Sequence, residues 1–124
     1  MKNLLIIEND EDNLSLIKEI LEDNGYNVLG TAHLENGLDI LQRGIPLQLI
    51  LLSTVFDGVE RFDAIERVKK DETNASVPII ALTSSERTNE GGKALEKGCF
   101  SFLHRPIEEE ALLEAVKNVL EKKE

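Results

Sequence analysis

The chain carries one cysteine, Cys99, so an internal disulfide framework is excluded, and a lone thiol fits a reducing cytoplasm. Cys99 reads as a small packed residue beside Gly98; a redox role would need a neighbouring base, and only His104 is close in sequence. The two histidines, His33 and His104, lie far apart and read as exposed loop residues, so no structural zinc signature is present. No apolar run approaches the roughly 20 residues needed to cross a bilayer. Met1-Lys2-Asn3 leads straight into a strand pattern, so no signal peptide is expected. Basic residues are the minority, 14 against 24 acidic, for a formal charge of −10. Nucleic acid and anionic lipid both require basic patches, so neither is expected as a direct partner. The loop after the first strand has acids and no glycine-rich phosphate cradle, which disfavours a small flavodoxin-like nucleotide or flavin binder.

What is present is an α/β pattern repeated five times, within a length that suits one domain spanning residues 1–124. The strands read as Asn3 to Glu8, Tyr26 to Leu29, Leu47 to Leu52, Val77 to Leu82 and Phe100 to Leu103. The third is a near-continuous aliphatic run, as expected for a parallel sheet covered on both faces. The first helix starts at about Asp12, a candidate cap, with Leu14, Ile17, Ile20 and Leu21 on one face and Gly25 beyond its end. Leu34, Leu38 and Leu41 mark the second helix, and Phe62, Ile65 and Val68 the third. A fourth helix between Ser85 and Lys97 is expected to be short and mobile, because Gly91 and Gly92 each cost about 1 kcal/mol against alanine. The fifth opens at Pro106 with Glu108, Glu109 and Glu110 at its positive end.

In open α/β sheets chemistry sits just beyond the carboxyl ends of the strands. Four loops meet there. They carry Glu8-Asn9-Asp10-Glu11-Asp12, then Ser53-Thr54-Val55-Phe56-Asp57-Gly58, then Thr83-Ser84-Ser85, and finally His104-Arg105-Pro106. Together they would form a pocket of carboxylates, hydroxyls and one guanidinium. At the end of the third strand, where a reactive group would stand, the residue is the neutral Ser53.

In their order and strand placement these motifs resemble the receiver domain of two-component response regulators over essentially the whole chain. The marks are the acidic opening Glu8-Asn9-Asp10-Glu11-Asp12-Asn13-Leu14 and the closing stretch Gly98-Cys99-Phe100-Ser101-Phe102-Leu103-His104-Arg105-Pro106-Ile107, with Thr83 between them. The resemblance implies a doubly wound five-stranded parallel sheet in the order 2-1-3-4-5, with five helices. It implies a phosphoryl-accepting aspartate at the position of Ser53. It also implies magnesium held by that aspartate, by an acid at the position of Asn9 and by the carbonyl of Val55. Thr83 and a lysine at the position of Arg105 would contact the phosphoryl group. Phe102 would be an aromatic switch, and the fourth helix, fifth strand and fifth helix a partner face that includes Gly91, Gly92 and Pro106. A cis peptide before Pro106 is implied as well.

The chain departs from this pattern where the chemistry lies. Ser53 and Asn9 stand where carboxylates are implied, Arg105 stands for lysine, and Asp57 for the proline usual in the third loop. Magnesium prefers anionic oxygens, so its binding is expected to be weak or lost, with only a remnant at Glu8 and Asn9. Serine is a poor acceptor without an activating base. Arg105 is expected to reach into the pocket and pair with Glu8 or Asp10, which with Asn9, Ser53, Val55 and Thr83 form a degenerate phosphorylation pocket. The expected function is a cytoplasmic, non-enzymatic pseudo-receiver that works by protein–protein interaction with a sensor kinase or effector. An unusual receiver phosphorylated at Ser53 or Asp57 is the alternative.

Overall fold

The computed structural model describes residues 2–84 and 90–121. The main sheet contains β1 (Asn3–Ile7), β2 (Asn27–Thr31), β3 (Leu49–Ser53), β6 (Ile79–Thr83) and β7 (Ser101–His104), all parallel, in the order β2-β1-β3-β6-β7. Five helices connect them: α1 (Glu11–Asp23), α2 (Leu34–Gln42), α3 (Asp63–Lys69), α4 (Glu90–Glu96) and α5 (Glu109–Leu120). This is the doubly wound arrangement that the sequence implies.

The aliphatic strands are explained by how they divide between the two sides. Side chains alternate across a strand, so Leu4 and Ile6 of β1 fall with Leu49 and Leu51 of β3 against Ile17, Leu21, Leu112 and Val116 of α1 and α5. Their neighbours Leu5, Ile7, Ile50 and Leu52 face Leu41, Ala64, Ile65, Val68 and Ala94 of α2, α3 and α4. Both faces of β3 are covered along its whole length, so a polar residue anywhere in it would be buried.

Several boundaries differ from the sequence reading. The cap of α1 is Asp10, whose side chain accepts from the Asn13 backbone N–H at 2.9 Å; Asp12 lies inside the first turn. The segment after Ser53 is no open loop. It forms a two-stranded antiparallel hairpin, β4 (Val55–Phe56) with β5 (Val59–Glu60), turning on Asp57 (φ 54°) and Gly58 (φ 77°). Positive φ at two central residues is the signature of the tight hairpin turn for which Asp-Gly is a preferred pair. The glycines expected to weaken the fourth helix lie inside α4, while the predicted start from Ser85 lies outside the described residues. His104 is the last residue of β7 and half-buried, not an exposed loop residue; His33 is exposed. Among the described residues, no helix is long and apolar enough to cross a membrane.

Cys99 is buried between α4 and β7. Desolvation pushes its thiol up to about 12, against a weaker downward pull from Lys69. Thiolate is therefore scarce at neutral pH, which matches a packed residue and not a redox centre. The linkage sign follows. An unfolded thiol ionises near its ordinary value of 9.0 while the folded one resists to about 12. The contribution is thus intact below pH 9 and is lost as pH climbs through that interval. A chemical-denaturation series should show stability falling over that range, with the slope reduced in Cys99→Ala. Alkylation at pH 8 should require unfolding.

Candidate functional site

The strand order reverses between β1 and β3, and the crevice beyond their carboxyl ends is where an open α/β sheet places a ligand. Glu8 follows β1 directly. Its backbone N–H donates to Thr31 O at 3.0 Å, which continues the pairing with β2 and pulls the side chain inside, where it is 1 % exposed. One carboxylate oxygen, Oε2, accepts from the Asp10 N–H at 2.9 Å. The other, Oε1, lies 2.7 Å from Arg105 Nη2.

Ser53 closes β3 and is fully buried. Its hydroxyl donates to Val55 O at 2.9 Å and accepts from Val55 N at 3.0 Å and from Arg105 Nη2 at 2.9 Å. A hydroxyl has one proton and two lone pairs, so Ser53 has no hydrogen-bonding capacity left. Its proton is committed to a neutral carbonyl, and the carbonyl is that of Val55.

Arg105 follows β7, where its backbone N–H donates to Thr83 O at 3.1 Å, and it precedes a cis bond to Pro106. Its guanidinium reaches across the ends of β3 and β1, with Nη2 shared between Glu8 and Ser53. Nη1 is buried without a hydrogen-bond partner among the described residues. Of the two carboxylates named for it in the sequence, Arg105 takes Glu8, while Asp10 caps α1.

Asn9 is turned toward the hairpin. Its Oδ1 accepts from the Asp57 N–H at 2.9 Å and its Nδ2 donates to Ala32 O at 3.3 Å. Asp57 is exposed in a tight turn held by that bond, which corrects the reading of a flexible loop acid. A cavity of about 210 Å³ remains, lined by Glu8, Asn9, Asp10, Asn13, Val55, Gly58 and Arg105.

The oxygens that would face a magnesium ion are thus a neutral amide, a neutral hydroxyl and a carbonyl, each already hydrogen-bonded, beside the Glu8 carboxylate paired with a fixed cation and the Asp10 carboxylate engaged in capping α1. Magnesium takes hard oxygen donors in near-ideal octahedra and is usually anchored by carboxylates. This donor set does not fit it.

Thr83, expected in the loop after the strand and facing the pocket, is instead the last residue of β6 and fully buried, and it is not among the residues lining the cavity. Thr83 Oγ1 lies 2.7 Å from His104 Nδ1 and 3.3 Å from Leu103 O. His104 in turn meets Phe102 edge-on, with ring centroids 5.1 Å apart and planes at 63°. The Phe102 ring lies against Gly91, where an added Cβ would overlap it. Gly91 is buried and Gly92 half-buried in α4, and Pro106 is exposed. The sequence reading missed two participants. The Asp57-Gly58 pair signalled the hairpin, and the alternation of β7 placed His104 on the same face as Phe102.

Comparison with known proteins agrees with this fold. The family model for the response regulator receiver domain matches residues 4–117. The "Polar-differentiation response regulator DivK" of Brucella ovis is 26% identical over 119 residues, covering 96% of each chain. The "Probable transcriptional regulator ycf29" of Porphyra purpurea is 29% identical over 120 residues, but the match spans 95% of this chain and only 56% of that protein. Among solved structures, the chemotaxis response regulator CheY4 of Vibrio cholerae superposes with a TM-score of 0.84 at 21% identity, covering 97% of this chain and 99% of that one.

Proposed function

Because the chain belongs to the response regulator receiver family, we propose that it is a pseudo-receiver, a cytoplasmic signalling module that works through protein contacts without phosphorylation of an aspartate. The observation that carries this reading is the Arg105 guanidinium seated between Glu8 and Ser53. A fixed cation neutralises the buried Glu8 carboxylate, and the residue at the acceptor position is a saturated, buried hydroxyl. A serine acceptor would need a base to take its proton, and that proton goes to a carbonyl. The module on this reading holds no magnesium, catalyses nothing itself, and leaves signalling to its surface.

The surface we assign to a partner, a sensor kinase or an effector, is α4, β7 and α5. Among the described residues β7 is an edge strand of the main sheet. Leu95 on α4 and Phe100 just before β7 are large apolar side chains that stay exposed. The acidic charge of the chain argues against direct contact with nucleic acid.

The test is an intact-mass measurement after incubation with acetyl phosphate and magnesium, and separately with a phosphorylated histidine kinase. No covalent phosphoryl group is expected. A stoichiometric phosphoryl adduct, whether on Ser53 or on Asp57, would overturn the proposal.

A further inference from the structure

We infer that His104 is an internal latch, holding Thr83 and Phe102 in one arrangement so that the α4–β7 face is set from within the fold. The inference rests on the reading that no covalent phosphoryl group sets this face, and it names what does so instead. Three contacts run without a gap from the carboxyl end of β6 to α4. Thr83 Oγ1 meets His104 Nδ1 at 2.7 Å. The His104 ring meets Phe102 edge-on at 5.1 Å. Phe102 fills the space that Gly91 leaves by lacking a Cβ. Gly91 is part of α4 and is itself buried.

The hydrogen-bond arithmetic fixes the chemistry of the first contact. Thr83 has one hydroxyl proton and two neighbours, the Leu103 carbonyl at 3.3 Å and His104 Nδ1 at 2.7 Å. A carbonyl can only accept. Both bonds form together in one way: Thr83 donates to Leu103, and His104 donates from a protonated Nδ1 to Thr83. A neutral His104 is then held with its proton on Nδ1, the less populated tautomer of free histidine. The latch also keeps the Thr83 hydroxyl engaged away from the cavity, so Thr83 and the partner face are coupled through a side chain of the protein. Glycine at position 91 is part of the same device, since any Cβ there would overlap the Phe102 ring and force it to shift.

The test uses the unmodified protein first. Imidazole ¹⁵N shifts at pH 8 should give His104 the pattern of a fixed Nδ1–H tautomer, while the exposed His33 gives a mobile average. A His104 pattern like that of His33 would overturn the inference. Thr83→Val keeps the shape of the side chain and removes the acceptor. It should release the tautomer, shift or broaden the Phe102 ring signals, and raise amide exchange in α4 and β7 about tenfold, the scale of one ordinary hydrogen bond. His104→Val should do the same, and the double variant should add nothing further. Unchanged Phe102 signals, or additive effects, would overturn the latch. No phosphodonor enters these measurements. The latch can therefore fail while phosphorylation-independent signalling stands, and a phosphoryl adduct would defeat that reading without touching the tautomer.

Discussion

Arg105→Met is expected to lower the melting temperature by roughly 10 °C, the consequence of leaving the Glu8 carboxylate in place with its cation removed. Glu8 is 1 % exposed and cannot turn outward to water, because β1 runs straight into it and its backbone N–H is paired with Thr31. Removing one partner of a buried ion pair typically costs about 3 kcal/mol, far more than the pair contributes over a well-packed apolar replacement. That asymmetry supplies the control. Glu8→Gln combined with Arg105→Met should recover most of the lost stability, since neither charge remains buried. Arg105→Lys should fall between, because an ammonium is a point charge without the planar fork that reaches Glu8 and Ser53 together. Thermal denaturation of the parent, Glu8→Gln, Arg105→Met and the double variant gives a double-mutant cycle. If Arg105→Met melts within about 2 °C of the parent, the guanidinium is not what compensates Glu8, and its place in the pocket is incidental.

The sheet and its two covered faces were legible because aliphatic runs in five segments leave few other ways to bury them, while the strand order was implied only by the resemblance to receiver domains. The strand-end residues were legible for a related reason: β1, β3, β6 and β7 are parallel, so their carboxyl ends must share an edge. Composition also made the Arg105 partner predictable in kind, since a guanidinium beside buried space needs an acid. It did not say which acid. That choice depends on Asp10 being consumed by the cap of α1, a role the sequence reading gave to Asp12. Two further features escaped for different reasons. The hairpin after Ser53 has strands of only two residues, too short for periodicity, although its Asp57-Gly58 turn pair was visible. His104 was taken for a loop residue because a histidine beside arginine and proline has no apolar signature. Its role comes from pairing across strands, with Thr83 of β6 opposite His104 of β7, and register between distant segments is not written in either segment alone.

Restoring phosphotransfer should require three substitutions together, Asn9→Asp, Ser53→Asp and Arg105→Lys, and should fail with Ser53→Asp alone. The single change places a carboxylate within reach of Arg105 Nη2, now 2.9 Å from the Ser53 hydroxyl and 2.7 Å from Glu8. A fork between two carboxylates makes a stronger internal ion pair, so the new acid would be neutralised by protein and not by metal. It also removes the Ser53 hydroxyl that occupies the Val55 carbonyl, which frees one oxygen donor. Asn9→Asp supplies the second carboxylate, at the expense of the 3.3 Å amide bond to Ala32. Arg105→Lys replaces the fork by a compact cation with three donors and loosens its hold on Glu8. The triple variant then presents two new carboxylates, Glu8 and a free carbonyl, a set that magnesium accepts. With acetyl phosphate and magnesium it should take up one phosphoryl group, labile to hydroxylamine as an acyl phosphate is, while Ser53→Asp alone takes up none. Efficient phosphorylation of the single variant would mean that the guanidinium is no barrier to the metal. A folded triple variant that stays unphosphorylated would move the obstacle to the Asp57-Gly58 hairpin, whose hold on residue 9 through the Asp57 N–H is the one constraint on that side chain the three substitutions leave in place.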